Sequence, residues 1–197
     1  MRYLKMLGVV AVATMALAVF AGTALATELY SGATTLKAGT SINATLSGTN
    51  TLTSTEGTIL DTCTGGELAG KTTNSGSSTE TVKIVLEATK ITWGGCTNVT
   101  STLQGAEVEW HWLSALLHGT LTIKGLSITI QIPPFGTCVF TDGTGTTLGT
   151  LTGSTTGNAV LDVNAVLTKS SGLCASTAKW TGTYKVTSPT PLHVTAS

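Results

Sequence analysis

The sequence predicts an all-β protein: an antiparallel β-sandwich, immunoglobulin-like or jelly-roll-like, braced by two disulfides. Three observations predict it. From Leu126 to Ile132 apolar and polar residues alternate with a period of two, the mark of a half-buried strand. Turn signals rich in glycine recur at short intervals, as the short strands of a sandwich or barrel require. Four cysteines, Cys63, Cys96, Cys138 and Cys174, follow a leader-like N-terminus, and an even set in an exported chain reads as two bridges.

The leader comes first. Arg2 and Lys5 precede the apolar run Met6 to Phe20, and Ala24 and Ala26 occupy the small-residue positions of an A-x-A cleavage site. This is the pattern of a secretory signal peptide over residues 1–26. The run is shorter than the ~20 residues that span a membrane. No cysteine follows the cleavage site to take a lipid anchor, and no second long apolar run follows. Removing 26 of the 197 residues leaves one secreted β domain over 27–197.

Cleavage removes the sole arginine, Arg2, and leaves eight scattered lysines against ten carboxylates. Phosphate backbones are held by clustered Lys and Arg, so nucleic acid is not an expected partner. No C-x-x-C pair suggests a zinc ribbon or a thioredoxin-like centre.

Strands follow in order. Threonine dominates the chain, and β-branched residues suit a pleated surface. Leu121 and Ile123 alternate with Thr120, Thr122 and Lys124, and the parity flips at Lys124-Gly125. A two-residue hairpin there would set Ile123 opposite Leu126 and Leu121 opposite Ile128. Pro133-Pro134 ends the following strand. Further turns are expected at Ser47-Gly48, Gly65-Gly66, Asn74-Ser75-Gly76, Gly94-Gly95, Asp142-Gly143 and Ser171-Gly172. Only Trp112 to His118 offers a turn or two of helix, against strand patterns on either side.

A faint duplication sets the disulfide pairing. Cys63 and Cys138 each precede Gly/Thr-rich turns, an aliphatic strand ending in Thr-Lys, and then Cys96 or Cys174. Equivalent halves braced equivalently give Cys63–Cys96 and Cys138–Cys174. Each bridge closes a loop of more than thirty residues, contributing roughly 3–4 kcal/mol in the chain-entropy model.

Chemistry concentrates in Glu107 to Gly119, EVEWHWLSALLHG. As a strand, it puts Val108, Trp110 and Trp112 on one face and Glu107, Glu109 and His111 on the other. The polar face, with His118 closing it, carries zinc-ligand residue types. Same-face neighbours on one strand sit about 6.5–7 Å apart, too far to converge on one ion unaided. The alternative is the solvated face of an edge strand. The aromatic face, Trp110 and Trp112, is a candidate platform for carbohydrate or a hydrophobic small molecule. The alternative, which the scarcity of other large side chains favours, is core packing beside Trp93 and Trp180.

Catalytic constellations are not assembled. There is no G-x-S-x-G elbow, and His193 stands near the C-terminus. Asp142 to Thr146, DGTGT, lacks the further acids of a calcium loop. No cofactor is expected. A metal-dependent hydrolase built on Glu107, Glu109, His111 and His118 is the one enzymatic alternative. Asn43-Ala-Thr45 and Asn98-Val-Thr100 match the glycosylation sequon.

A leader followed by Thr/Gly-rich strands, then WGGCT (Trp93 to Thr97), FGTCVFT (Phe135 to Thr141), GLCA (Gly172 to Ala175) and WTGTYKVTSPTPLHV (Trp180 to Val194), resembles small secreted all-β proteins of bacteria found in actinobacterial genomes. It is more distantly similar to secreted proteins described as activators of alkane oxidation. The resemblance implies a bacterial, secreted, disulfide-braced β fold and carries over no functional residue. The expectation is a non-enzymatic extracellular or envelope-associated protein contacting a surface or ligand. An exposed sheet edge would also allow self-association.

Overall fold

The computed structural model describes residues 27–77, 82–86, 92–96, 102–104, 107–114, 117–134, 136–143 and 145–196; of 82–86, 102–104, 107, 109–114 and 196 it describes the backbone alone. The described residues form strands and turns, without a helix. Of the Trp112 to His118 stretch, where a turn or two of helix was expected, 112–114 end β9 and His118 begins β10, while 115–116 lie outside the described residues.

In chain order the strands are β1 (Thr27–Ser31), β2 (Thr34–Thr35), β3 (Ser41–Leu46), β4 (Asn50–Ser54), β5 (Ile59–Thr72), β6 (Val82–Leu86), β7 (Thr92–Cys96) and β8 (Thr102–Gln104). They continue with β9 (Glu107–Ser114), β10 (His118–Lys124), β11 (Ser127–Ile132), β12 (Gly136–Thr141), β13 (Thr146–Thr152), β14 (Val160–Ser171), β15 (Thr177–Ser188) and β16 (His193–Ala196). All of their pairings are antiparallel.

The packed antiparallel sheets expected from the sequence are present, and their sides are joined. Pairings run β5–β6–β9–β10–β13–β14–β15–β3 and return to β5. Consecutive strands pair at β5–β6, β9–β10, β13–β14 and β14–β15, while β6–β9, β10–β13, β15–β3 and β3–β5 join strands that lie apart in the chain. An eight-strand ring has an interior that side chains can fill. β3 and β4 lie end to end between β15 and β5, and β6 and β7 lie end to end on the other edge of β5. Below the ring, β12, β11 and β8 extend outward from β14.

Alternation decides which residues fill the interior. Along β14, Leu161, Val163, Ala165 and Leu167 are buried while Asp162, Asn164, Val166 and Thr168 are exposed. Along β15, Ala178, Trp180, Tyr184 and Val186 are buried and Lys179 and Lys185 are exposed. These join Leu121, Ile123, Leu148 and Leu151 in one core. The outward row is polar and the inward row apolar, the reverse of a membrane-spanning barrel.

One expected hairpin is a kink. β10 pairs with β9 and β13, and β11 with β12 and β8, so Lys124-Gly125 does not fold the chain back. Gly125 adopts φ 85° and its N–H is held by Asp142 Oδ2 at 3.1 Å. The kink resets the parity, so Ile123, Leu126 and Ile128 are all buried; the shared face was read correctly and the device was not. Pro133-Pro134 follows the last residue of β11 as expected.

Gly65-Gly66 and Gly94-Gly95 are not turns either. They pair with each other inside β5 and β7, Gly65 opposite Gly94 and Gly66 opposite Trp93. A Cβ at Gly66 would stand 2.9 Å from the Thr92 carbonyl oxygen. Gly66 is there for close backbone approach, whereas at Gly94 a Cβ would meet nothing within 4 Å. The two disulfides are Cys63–Cys96 and Cys138–Cys174, as paired from the sequence. They are not equivalent braces. Cys63 and Cys96 are register partners on β5 and β7, Cα atoms 3.9 Å apart, whereas Cys138 of β12 reaches a loop residue after β14 over 6.2 Å.

The two ends of the domain meet in a small sheet, β16–β1–β2, packed against β6, β9 and β10. Leu29, Leu36, Leu192 and Val194 anchor it in the core. His193 pairs with Tyr30 and stacks on its ring, centroids 5.6 Å apart. Burial lowers the His193 pKa below the ordinary 6.5, and Nδ1 has no hydrogen-bond partner.

Two outcomes test this architecture. At Gly149 an added Cβ would strike the Asp162 carbonyl and lie 2.9 Å from Val163 Cα, so Gly149→Ala should cost about 1–3 kcal/mol by overpacking. In urea titrations Gly157→Ala, where a Cβ meets only Ser154 Oγ at 3.5 Å, should match the parent. For His193, the neutral form is favoured by folding. That stability is present above pH 6.5 and is lost as pH falls through the lowered folded-state value. The melting temperature of the parent should therefore drop between pH 7.5 and 5 more steeply than that of His193→Asn; equal slopes would show that the buried imidazole does not titrate with unfolding.

Candidate functional site

The sequence-selected strand β9 is not an edge: it lies between β6 and β10. Its register assigns the two faces. Val108 stands opposite Ile123 and Ile84, Trp110 opposite Leu121 and Val82, and Trp112 opposite Gly119. Val108, Leu121 and Ile123 are buried, so the positions of Trp110 and Trp112 fall on the core face of the sheet. On the outer face Glu107 stands opposite Lys124, Glu109 opposite Lys83 and Thr122, and His111 opposite Thr120. Each carboxylate position therefore has a lysine position beside it, an arrangement that suits cross-strand charge pairing. The side chains of Glu107, Glu109, Trp110, His111 and Trp112 lie outside those described. His118 lies beyond a register shift, opposite Ser114 and Thr152, with its Nδ1 3.2 Å from Thr152 Oγ1.

A different constellation emerges on the inner side of β4, β5, β7 and β15, and the sequence reading did not single it out. Parity on β5 turns Asp61 and Cys63 inward, 3 % and 1 % exposed. Asn50 is the register partner of Cys63 on β4, and Cys96 is its partner on β7. Asp61 Oδ1 accepts the Thr62 N–H at 2.8 Å, and Oδ2 lies 3.4 Å from Cys63 Sγ. Asp61, Cys63 and Cys96 bring their ligand atoms within 4.8 Å of one another.

Aromatic rings continue this seam. Trp93 and Trp180 lie 5.5 Å apart by centroids, and Trp180 meets Tyr184 edge-on at 6.5 Å. Trp180 Nε1–H donates to Asn50 Oδ1. Asn50 Nδ2, Trp93 Nε1 and the Tyr184 hydroxyl are buried polar atoms without a partner of good geometry among the described residues. Burial drives the Tyr184 phenol well above the ordinary tyrosine range, and the indole N–H groups of Trp180 and Trp93 only partly offset this. Tyr184 is therefore a neutral hydrogen-bonding group at any ordinary pH. Glycine makes the room: a Cβ at Gly182 would stand 3.0 Å from Asn50 Oδ1 and 3.3 Å from the Tyr184 ring. The clue in the sequence was Asp61-Thr62-Cys63, an acid and a cysteine two residues apart and so on one strand face.

Two open clefts flank the ring. One, of about 560 Å³, sits at the β10–β11 kink beside Lys124, Gly125, Asp142 and Gly143. Asp142 is engaged there with the Gly125 N–H, and Thr146 Oγ1 accepts from the Gly143 N–H at 2.8 Å, so the DGTGT segment closes a turn. The second, of about 360 Å³, lies between Glu56, Leu60, Ile132, Leu173 and Cys174. Asn43 of the first sequon is half-buried in β3, and Asn98 lies outside the described residues.

No protein-family model matches the chain, and neither a curated protein nor a solved structure is similar to it.

The register of β9 has an optical consequence. The fluorescence lost on Trp110→Phe, Trp112→Phe should be blue-shifted and shielded from iodide, as expected of core indoles. A red-shifted, quenchable contribution would instead put both rings in water and revive the binding platform.

Proposed function

We propose that this chain is a secreted, non-catalytic β protein that acts at the cell envelope or outside it, by contact with a surface or ligand. The observation that carries this reading is the pair of disulfides, Cys63–Cys96 and Cys138–Cys174, in a chain whose N-terminal residues have the pattern of a secretory leader. Two disulfides with no free cysteine among the described residues suit an oxidising compartment. Among the described residues no helix is long and apolar enough to cross a membrane, and the exposed positions of β14 and β15 are mostly Thr, Lys, Asp and Asn, with Val166 the apolar exception.

A non-catalytic role is supported by how the polar groups are used. Asp142 serves a turn, His193 a strand stack and His118 a threonine contact. The carboxylates proposed for a hydrolase sit at positions beside lysines. The alternative, a carbohydrate or hydrophobic-ligand module using Trp110 and Trp112, would act from strand positions that share a face with Val108, whose register partner is Ile123.

Expression with its leader in a bacterial host should yield an envelope or medium fraction whose N-terminal residue is Thr27 and whose four cysteines resist alkylation. Full-length chain retained in the cytoplasm with reactive thiols would overturn the assignment.

A further inference from the structure

The Cys63–Cys96 bridge has a neighbour that a simple brace does not require. Asp61 is buried beside it, and its Oδ2 approaches Cys63 Sγ at 3.4 Å. A disulfide sulfur has no proton to give to a carboxylate. A thiol has one, and a thiolate and a carboxylate can share a metal ion. The contact therefore suits the reduced or metal-bound cysteine better than the bridged one. Asp61, Cys63 and Cys96 are also the sole group of three potential ligands among the described residues to gather within 4.8 Å.

We infer that reduction of Cys63–Cys96 converts this brace into a site for a thiophilic divalent cation such as zinc, held by the Cys63 and Cys96 thiolates and the Asp61 carboxylate. The balance is simple. A dithiol reductant is oxidised to its disulfide, and the protein S–S bond takes up two electrons and two protons. The cation then displaces those two protons from sulfur. Three protein ligands leave a fourth tetrahedral position for water.

Three features keep the ligands in place when the bridge opens. β5 and β7 remain paired through Gly65–Gly94, Gly66–Trp93 and Glu67–Thr92. Trp93 packs on Trp180, tying β7 to the core independently of sulfur. Cys96 is only half-buried, and among the described residues β7 pairs with β5 alone, which leaves its other edge as a route for the cation. The second bridge has no such companion carboxylate: Cys138 and Cys174 belong to no ligand group among the described residues.

The test uses the mature protein, reduced with dithiothreitol, freed of it anaerobically and titrated with cadmium while the thiolate-to-cadmium ultraviolet band is read. One cadmium per chain is expected, competed by zinc, and none by the oxidised protein. Asp61→Asn should weaken uptake about tenfold or more, since even outer partners of a metal site cost 10–100-fold. Cys138→Ser, Cys174→Ser should keep the band, and Cys63→Ser, Cys96→Ser should abolish it. A band that survives the latter pair, or an Asp61→Asn variant of parental affinity, overturns the inference. Circular dichroism guards against simple unfolding: if the reduced chain loses its strand spectrum, cadmium must restore it, and failure to do so overturns the inference as well.

Discussion

The fold depends on β15 pairing along both of its edges. On one side it meets β14 through nine consecutive register pairs, Val160–Lys185 to Thr168–Thr177. On the other it meets β3 and β4, strands formed more than a hundred residues earlier. The first pairing is a local hairpin. The second joins β15 to strands near the start of the described residues and makes a ring of the series. Closure of this kind removes the exposed edges that invite association. Among the described residues the free edges belong to short elements such as β2, β7 and β8.

Closure also fixes the interior volume, and the sequence answers that limit position by position. Where two strands press together, as at Gly149 against Asp162, there is no space for a side chain. Where the interior must hold indole and phenol rings, Gly66 and Gly182 leave it open. The resulting core is not uniformly apolar. Asn50, Asp61, Trp93, Trp180 and Tyr184 gather near the Cys63–Cys96 bridge, and Trp180 and Asn50 hold each other by a hydrogen bond. Polar groups packed this way specify one arrangement of the strands around them, because each alternative would leave more of them unpaired.

Much of this was legible from residue order, and the reasons for the exceptions are physical. Period-two alternation in β11 and the even cysteine count led directly to an antiparallel, doubly bridged β domain. Local signals misled where tertiary contact set the backbone. Lys124-Gly125 has hairpin chemistry, yet β10 already has β9 and β13 as neighbours, so the glycine serves a kink instead. Gly65-Gly66 and Gly94-Gly95 look like turns, but they lie in paired strands, and Gly66 lets those strands come close. The correct disulfide pairing came from a supposed duplication that the strands do not repeat: one bridge links register partners and the other ties a strand to a loop. The inner seam was overlooked because its members are scattered over β4, β5, β7 and β15, and only closure brings them together. The conspicuous strand β9 drew attention by composition, which says nothing of the lysines its carboxylate positions would meet.

The distribution of chemistry between the two sides of the ring bears on what the molecule can do. The outer surface offers threonine hydroxyls and single charges in cross-strand rows: Thr51 beside Thr62 and Thr181, and Asp162 beside Thr183 and Thr150. Several of these bond to one another, Thr51 to Thr181 at 2.6 Å and Thr183 to Asp162 at 2.8 Å. Such a surface is well suited to weak, extended contact and poorly suited to concentrating charge at a reacting atom, which needs groups converging in a dry cleft. Among the described residues, potential ligand groups converge within the ring, around the Cys63–Cys96 bridge. The proposed response at that internal bond would make the redox state of the surroundings, rather than a substrate, its trigger. On this argument the compartment in which the chain resides decides which of its two chemistries is expressed.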